Sequence, residues 1–344
     1  MRIALDGMGG DHAPQQTVKG AVEFVRDRAY SDHKVVLVGE PAALEAELRK
    51  YSYDNDRIDL VPASQVVAMD EKPARIVKTK PDSSLVKAVT LVRDKQADGI
   101  VSAGSTGALL AASLFLLKRI PGVRRPAICP YLPSESGGFV ICDAGANVDV
   151  RPSHLVQFAL MASAYSQHLF GLPSPRIGLL NIGTEATKGN EITVEAYKLL
   201  REGFENFVGN VEARDLFNDV ADVVVCDGFV GNILVKFGEG LVRHLVNWGK
   251  DTLKKHPISM LSLPLMRPAL KDLGHQLDHE ETGGWPLLGL NGISIVCHGS
   301  SNAKAIKNAL ISATRCVTEN LIESIASGIK EHLDLFKETN ERET

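Results

Sequence analysis

The sequence predicts an α/β protein: a three-layer, Rossmann-like fold with a mostly parallel sheet and helices on both faces. Two observations carry this. Strand-like and helix-like segments alternate along nearly the whole chain. Five apolar runs also end in turns rich in glycine and small polar residues, and in open α/β sheets ligands bind outside the carboxyl ends of strands. The five turns are expected to face one crevice and make it polar and anion-friendly.

The first strand, Arg2–Asp6, enters the turn Asp6-Gly7-Met8-Gly9-Gly10-Asp11, and a helix opens near Ala13-Pro14. Proline suits a helix's first turn because its missing N–H is unneeded there. Lys34–Gly39 and Arg57–Val61 read as strands and Pro41–Lys50 as a short helix. The stretch from Glu71 to Lys80 holds four cations, Lys72, Arg75, Lys78 and Lys80; it reads as a solvated face or an anion contact. Ser83–Gln96 is a helix with Leu85, Val86, Val89 and Val92 on its apolar side.

The second glycine turn, Ser102 to Gly107, follows Gly99-Ile100-Val101. The helix after it, Thr106–Ile120, is apolar nearly all round and is expected to be buried. Ala127–Pro130 and Gly138–Cys142 are strands, the latter entering the third turn, Asp143-Ala144-Gly145-Ala146-Asn147. A helix covers Ser153–Phe170. Ile177–Leu180 leads through Asn181-Ile182-Gly183-Thr184 to Lys188-Gly189-Asn190 and a helix at Glu191–Arg201. Val223–Cys226 enters the fifth turn, Asp227 to Asn232, with a helix at Asn232–Asn247. Ile293–Cys297 and Asn302–Ser327 read as the last strand and helix.

Residues 1–330 therefore read as one large α/β unit, with a polar tail at 331–344. An apolar and basic segment is inserted at about 249–291, too long for a simple connection. It is dense in leucine and methionine, broken by prolines, and flanked by Lys254, Lys255, Arg267 and Lys271. A dimer contact or core insertion is one reading. A tip resting on a membrane surface through 258–270 is the other.

The charge balance, 38 basic against 42 acidic residues, gives no overall nucleic-acid signature, so any acidic partner needs a local basic patch. The five cysteines, Cys129, Cys142, Cys226, Cys297 and Cys316, form no CxxC pair. They read as buried free thiols in a reducing cytoplasm, and no metal is expected. No run approaches the roughly 20 apolar residues of a membrane span.

The glycine turns exclude several chemistries. His12 stands where a dinucleotide fingerprint needs its third glycine. No nucleoside-triphosphate loop and no G-x-S-x-G nucleophile elbow occur. Small-anion chemistry remains. Gly104, Ser105 and Thr106 open a helix whose free N–H groups and hydroxyls suit a phosphate. Lys188 places a point charge in a polar loop, where it suits phosphate or a developing oxyanion; a surface lysine is the plainer reading. Asn232 reads either as a helix cap or as a donor to a carbonyl oxygen. His298 ends the last strand and reads as an acid or base, or as a capping or core histidine.

Taken in order, the five turns resemble the PlsX phosphate acyltransferases, from Met1 to about the helix after Asn302. The loop Thr187-Lys188-Gly189-Asn190 is also similar to the S-T-K-G-S stretch of phosphotransacetylases. The resemblance implies a fold similar to isocitrate and isopropylmalate dehydrogenases and to phosphotransacetylases. It implies a homodimer that transfers a fatty acyl group from acyl carrier protein to inorganic phosphate, giving acyl phosphate for phospholipid synthesis without a cofactor. Catalysis is then expected from Lys188, Asn232 and His298 and phosphate binding from Gly104, Ser105 and Thr106. Asp6, Asp11 and Asn147 are expected to shape the pocket. Competing readings are an NAD- and metal-dependent dehydrogenase on the same scaffold and a non-catalytic anion- or acyl-binding regulator.

Overall fold

The structure is a computed structural model that describes residues 1–134, 137–255, 268 and 283–332. Most of the expected tip at 258–270 and of the tail at 331–344 lies outside the described residues.

Among the described residues, twelve strands form two sheets. The strands are β1 (Arg2–Asp6), β2 (Lys34–Gly39), β3 (Ile58–Pro62), β4 (Gly99–Ser102), β5 (Ala127–Ile128), β6 (Tyr131–Ser134), β7 (Gly137–Cys142), β8 (Ile177–Asn181), β9 (Phe207–Glu212), β10 (Val223–Val225), β11 (Trp285–Leu288) and β12 (Ile293–Val296). The helices are α1 (Gln15–Arg26), α2 (Pro41–Leu48), α3 (Ile76–Thr79), α4 (Ser84–Arg93), α5 (Thr106–Leu116), α6 (Pro152–Phe170), α7 (Glu191–Gly203), α8 (Gly228–Lys254), α9 (Ala303–Thr318) and α10 (Leu321–Glu331). The larger sheet has the order β3-β2-β1-β4-β12-β11-β5 and the smaller β6-β7-β10-β8-β9. All pairings are parallel except those of β11 with β12 and β5, and of β6 with β7.

The chain from β5 to β6 edges both sheets and stitches them together. One transverse row runs through Leu5, Val101, Ile295 and Pro286. Cys129 continues it by donating its N–H to the Pro286 carbonyl at 3.2 Å. The Cys129 and Cys142 sulfurs meet at 2.8 Å, and the row continues through Val225 and Leu179 to Asn210. Apolar side chains above and below this row form two cores, each reaching across both sheets. Burial on both faces is why the parallel strands read as unbroken apolar runs.

The antiparallel step from β6 to β7 reverses the strand direction. β1, β4 and β12 leave the row one way, toward Asp6, Ser102 and Val296; β7, β10 and β8 leave it the other way, toward Asp143, Cys226 and Leu180. The strands that carry the five glycine turns therefore run in two directions: the first two turns follow β1 and β4, and the other three follow β7, β8 and β10.

Several elements differ from the sequence expectation, and α8, expected over Asn232–Asn247, spans Gly228–Lys254. β11 contains Pro286, which cannot donate to a ladder, yet its carbonyl accepts from Cys129. β9 was not expected. The helix expected over Asn302–Ser327 breaks at Asn320, which takes a left-handed conformation (φ 52°) between α9 and α10. α5 stops at Leu116 and is not buried all round, since Phe115 is exposed.

Candidate active site

The first group of turns gathers around Asp6. The Ser102 hydroxyl donates to the Asp6 carboxylate at 2.7 Å and accepts the Gly104 N–H at 3.1 Å. The Met8 N–H also donates to Asp6, at 3.3 Å. Asp6 is 2 % exposed, and burial raises its carboxyl above the ordinary range, against the lowering effect of the Ser84 and Ser102 hydroxyls and the Met8 and Gly9 N–H groups. Gly9 lets the two loops close: a side chain there would meet the Asp6 carboxylate and come 2.8 Å from the Gly104 nitrogen.

This geometry narrows the expected phosphate cradle. The Gly104 N–H already serves Ser102, so Gly104 contributes close approach rather than a donor. Ser105 is the N-cap residue of α5, but its side chain makes no capping bond. The first N–H groups of α5, with the Ser105 and Thr106 hydroxyls, thus remain as the donors of this turn. The basic stretch leans over them, because Pro73 packs where a Gly107 side chain would stand. Lys72, Arg75 and Lys78 are exposed there, while Lys80 is committed to Glu71 and the Val66 carbonyl.

Asp11 and His298 border the same group. The Asp11 N–H donates to the Gly299 carbonyl at 2.8 Å. His298 is exposed, and its Nδ1 lies 2.7 Å from the Ser300 hydroxyl and 3.2 Å from the Ser300 N–H. Nδ1 accepts that N–H in the tautomer whose proton sits on Nε2.

The second group is organised by Asp143, which the sequence left without a role. Its carboxylate accepts N–H groups from Ile128 (2.9 Å), Ala146 (3.1 Å) and Asn147 (2.6 Å), and the Asn147 side-chain amide at 2.9 Å. Burial nevertheless raises the Asp143 carboxyl, with these donors opposing. Small residues after Asp143 leave the N–H groups free to turn inward, the signal an Asp-Ala-Gly-Ala-Asn turn offers. Asn147 is spent structurally: its amide also donates to the Pro126 carbonyl (2.7 Å), and its own carbonyl accepts the Gly228 N–H (2.7 Å).

Asn232 neither caps nor begins its helix. α8 starts at Gly228 under Asp227, whose carboxylate accepts from Phe229 and Val230. Asn232 sits one turn inside, half-buried beside Gly145. Its amide makes no hydrogen bond among the described residues. Lys188 is exposed, its stem folded over Gly183, and its loop is pinned by the Asn181 amide donating to the Lys188 carbonyl at 3.0 Å. Its ammonium makes no ion pair among the described residues.

Thus the structure joins Asp6, Gly104, Ser105, Thr106, Asp11 and His298 at one end, and Asn147, Asn232 and Lys188 at the other. α8 links them. It starts against Asn147, and Glu239 lines a small cavity with His298, Trp285 and Ser301. From Gly228 to Glu239 the helix rises about 16 Å. All five cysteines are free and buried, and burial raises the thiols of Cys129, Cys142 and Cys226.

A family described as "Fatty acid synthesis protein" matches residues 1–324. A protein of Heliobacterium modesticaldum named "Phosphate acyltransferase" is 51 % identical over 334 residues, covering 97 % of this chain and 98 % of that protein. Among solved structures, the EutD phosphotransacetylase from Staphylococcus aureus superposes with a TM-score of 0.59 at 18 % identity, over 93 % of this chain and 94 % of that one. A 4-hydroxythreonine-4-phosphate dehydrogenase from Klebsiella pneumoniae gives 0.53 at 14 % identity, over 92 % and 98 %. These two show a shared fold.

Proposed function

The chain belongs to the fatty acid synthesis protein family of phosphate acyltransferases, and from that premise we propose that it transfers a fatty acyl group from acyl carrier protein to inorganic phosphate. A phosphate oxygen attacks the thioester carbonyl carbon, the carbon–sulfur bond breaks, and acyl phosphate and free carrier thiol are the products. Hydrogen phosphate carries the proton the departing thiolate needs, and His298 is a second source when its ring holds both protons. Phosphate is itself the nucleophile, so no acyl-enzyme is required.

The reading rests most on one observation: the Lys188 ammonium and the Asn232 amide, which find no partner among the described residues, belong to turns that follow the neighbouring strands β8 and β10. Lys188 neutralises phosphate or the tetrahedral oxyanion, and Asn232 orients the carbonyl. Ser105 and Thr106 hold the phosphate at the start of α5. Asp6, Asp11 and Asn147 hold the loops.

Acyl carrier protein, an acidic partner, is expected to dock on Lys72, Arg75 and Lys78. The alternative basic patch keeps Lys254 and Lys255, at the end of α8, while Arg267 and Lys271 lie outside the described residues. The enzyme works as a cytoplasmic homodimer with peripheral membrane contact through 258–270, which carries a poorly soluble product toward a membrane. Among the described residues no helix is long and apolar enough to cross one.

Turnover by Lys188→Ala tests the reading. A fall of about a hundredfold or more with an unchanged fold supports it; near-normal turnover removes Lys188 from the mechanism.

A further inference from the structure

The loop that carries Lys188 is tied down by two asparagines. Asn181, the last residue of β8, donates its side-chain amide to the Lys188 carbonyl at 3.0 Å. Asn210, in β9, donates its side-chain amide to the Glu185 carbonyl at 2.8 Å. That carbonyl also accepts the Lys188 N–H at 3.1 Å, so Glu185 and Lys188 are the first and fourth residues of a tight turn. Both backbone groups of Lys188 are therefore hydrogen-bonded, while its side chain stays exposed.

Asn210 makes little sense as a core residue. It is 6 % exposed, and its side-chain oxygen is buried without a partner among the described residues. Burying a half-satisfied amide destabilises a fold, and an apolar residue would serve the sheet better. A bulge in β9 sets its direction. Ile177 pairs with Phe207 but Gly178 pairs with Gly209, so Val208 is an extra residue. Gly209 takes φ 99°, a conformation that favours glycine. Without the extra residue Asn210 would stand opposite Leu180, on the other face of the sheet. With it, Asn210 stands opposite Leu179 and shares a face with Asn181. Leu179 packs in one core with Leu199 and Leu200 of α7, the helix into which the Lys188 loop runs.

We propose that Asn210 and Asn181 are positioning residues that hold the Lys188 backbone, so that its ammonium meets the reactants without the loop having to order first. This rests on the role proposed above for Lys188. A charge that stabilises a developing oxyanion works best when it is already in place. Asn210 anchors the first residue of the turn and Asn181 the last, so each acts through Lys188 and neither touches the reactants. The bulge at Val208 and the buried amide are then parts of one device, which explains a polar residue on a covered strand face.

A double-mutant cycle tests this. Asn210→Leu keeps the side chain's size and removes the donor; Asn181→Ala removes the other donor at a half-buried site and keeps the test open should Asn210→Leu not fold. Each is expected to lower phosphate-dependent turnover by about tenfold to a hundredfold, the range that a misplaced catalytic group costs. The thermal midpoint of each folded variant is expected to stay near that of wild type. On a Lys188→Ala background the same substitutions are expected to change turnover by less than about twofold, because the group they position is gone. A merely structural role would repeat the loss in full on that background, which overturns the proposal. Wild-type turnover of both single variants overturns it as well. The parent reading fails separately, if Lys188→Ala alone turns over near the wild-type rate.

Discussion

The Ser102 hydroxyl bridges the Asp6 carboxylate and the Gly104 N–H, donating to the first at 2.7 Å and accepting from the second at 3.1 Å. Through it a buried carboxylate at the end of β1 fixes the turn before α5. Ser102→Ala leaves both neighbours short of a partner in a dry setting. The expected cost is about 1–3 kcal/mol in unfolding free energy, read by denaturant titration. Because the turn loosens, the apparent KM for phosphate should rise more than kcat falls. An unchanged KM would confine Ser102 to stability.

Gly9→Ala forces a side chain between Asp6 and Gly104. Overpacking of this kind costs about 1–3 kcal/mol. The thermal midpoint should fall, and the phosphate KM should rise as with Ser102→Ala. A midpoint equal to wild type would show that the loops do not need this approach.

Asp6 also gives a pH signature. Its folded-state pKa is raised above the ordinary 3.8, chiefly by burial, so the folded state holds the proton more tightly than the unfolded chain. Stability from this group therefore increases as pH falls through the raised value toward 3.8, and is lost as pH rises back through it. The difference in unfolding free energy between wild type and Asp6→Asn should move in favour of wild type on acidification. A difference that is flat with pH contradicts the raised value.

Charge reversal of Lys72, Arg75 and Lys78 to glutamate should raise KM for carrier-linked substrate and flatten its salt dependence. The fold should be unaffected, since all three are exposed. If KM and its salt dependence both stay at wild-type values, the carrier docks elsewhere.

Much of the fold was legible because β1, β4, β8, β10 and β12 are covered on both faces, which leaves apolar runs ending in glycine. The order of the turns singles out Asn232 and Lys188 as candidates. The grouping of those turns was not. It depends on the antiparallel meeting of Tyr131 with Val140, and nothing local in a stretch holding Pro130 and Pro133 announces that reversal. Ser102 escaped notice for a similar reason: a serine inside an apolar strand has meaning only beside Asp6, 96 residues earlier. Asn232 reads as a cap from sequence because it follows a glycine turn, but Asp227 reaches the free N–H groups first.

The most direct measurement incubates acyl carrier thioester with inorganic phosphate and follows acyl phosphate and free carrier thiol together. With direct transfer, both appear in equal amounts and only when phosphate is present. Thiol release that does not depend on phosphate, or release without acyl phosphate, would contradict direct transfer to phosphate.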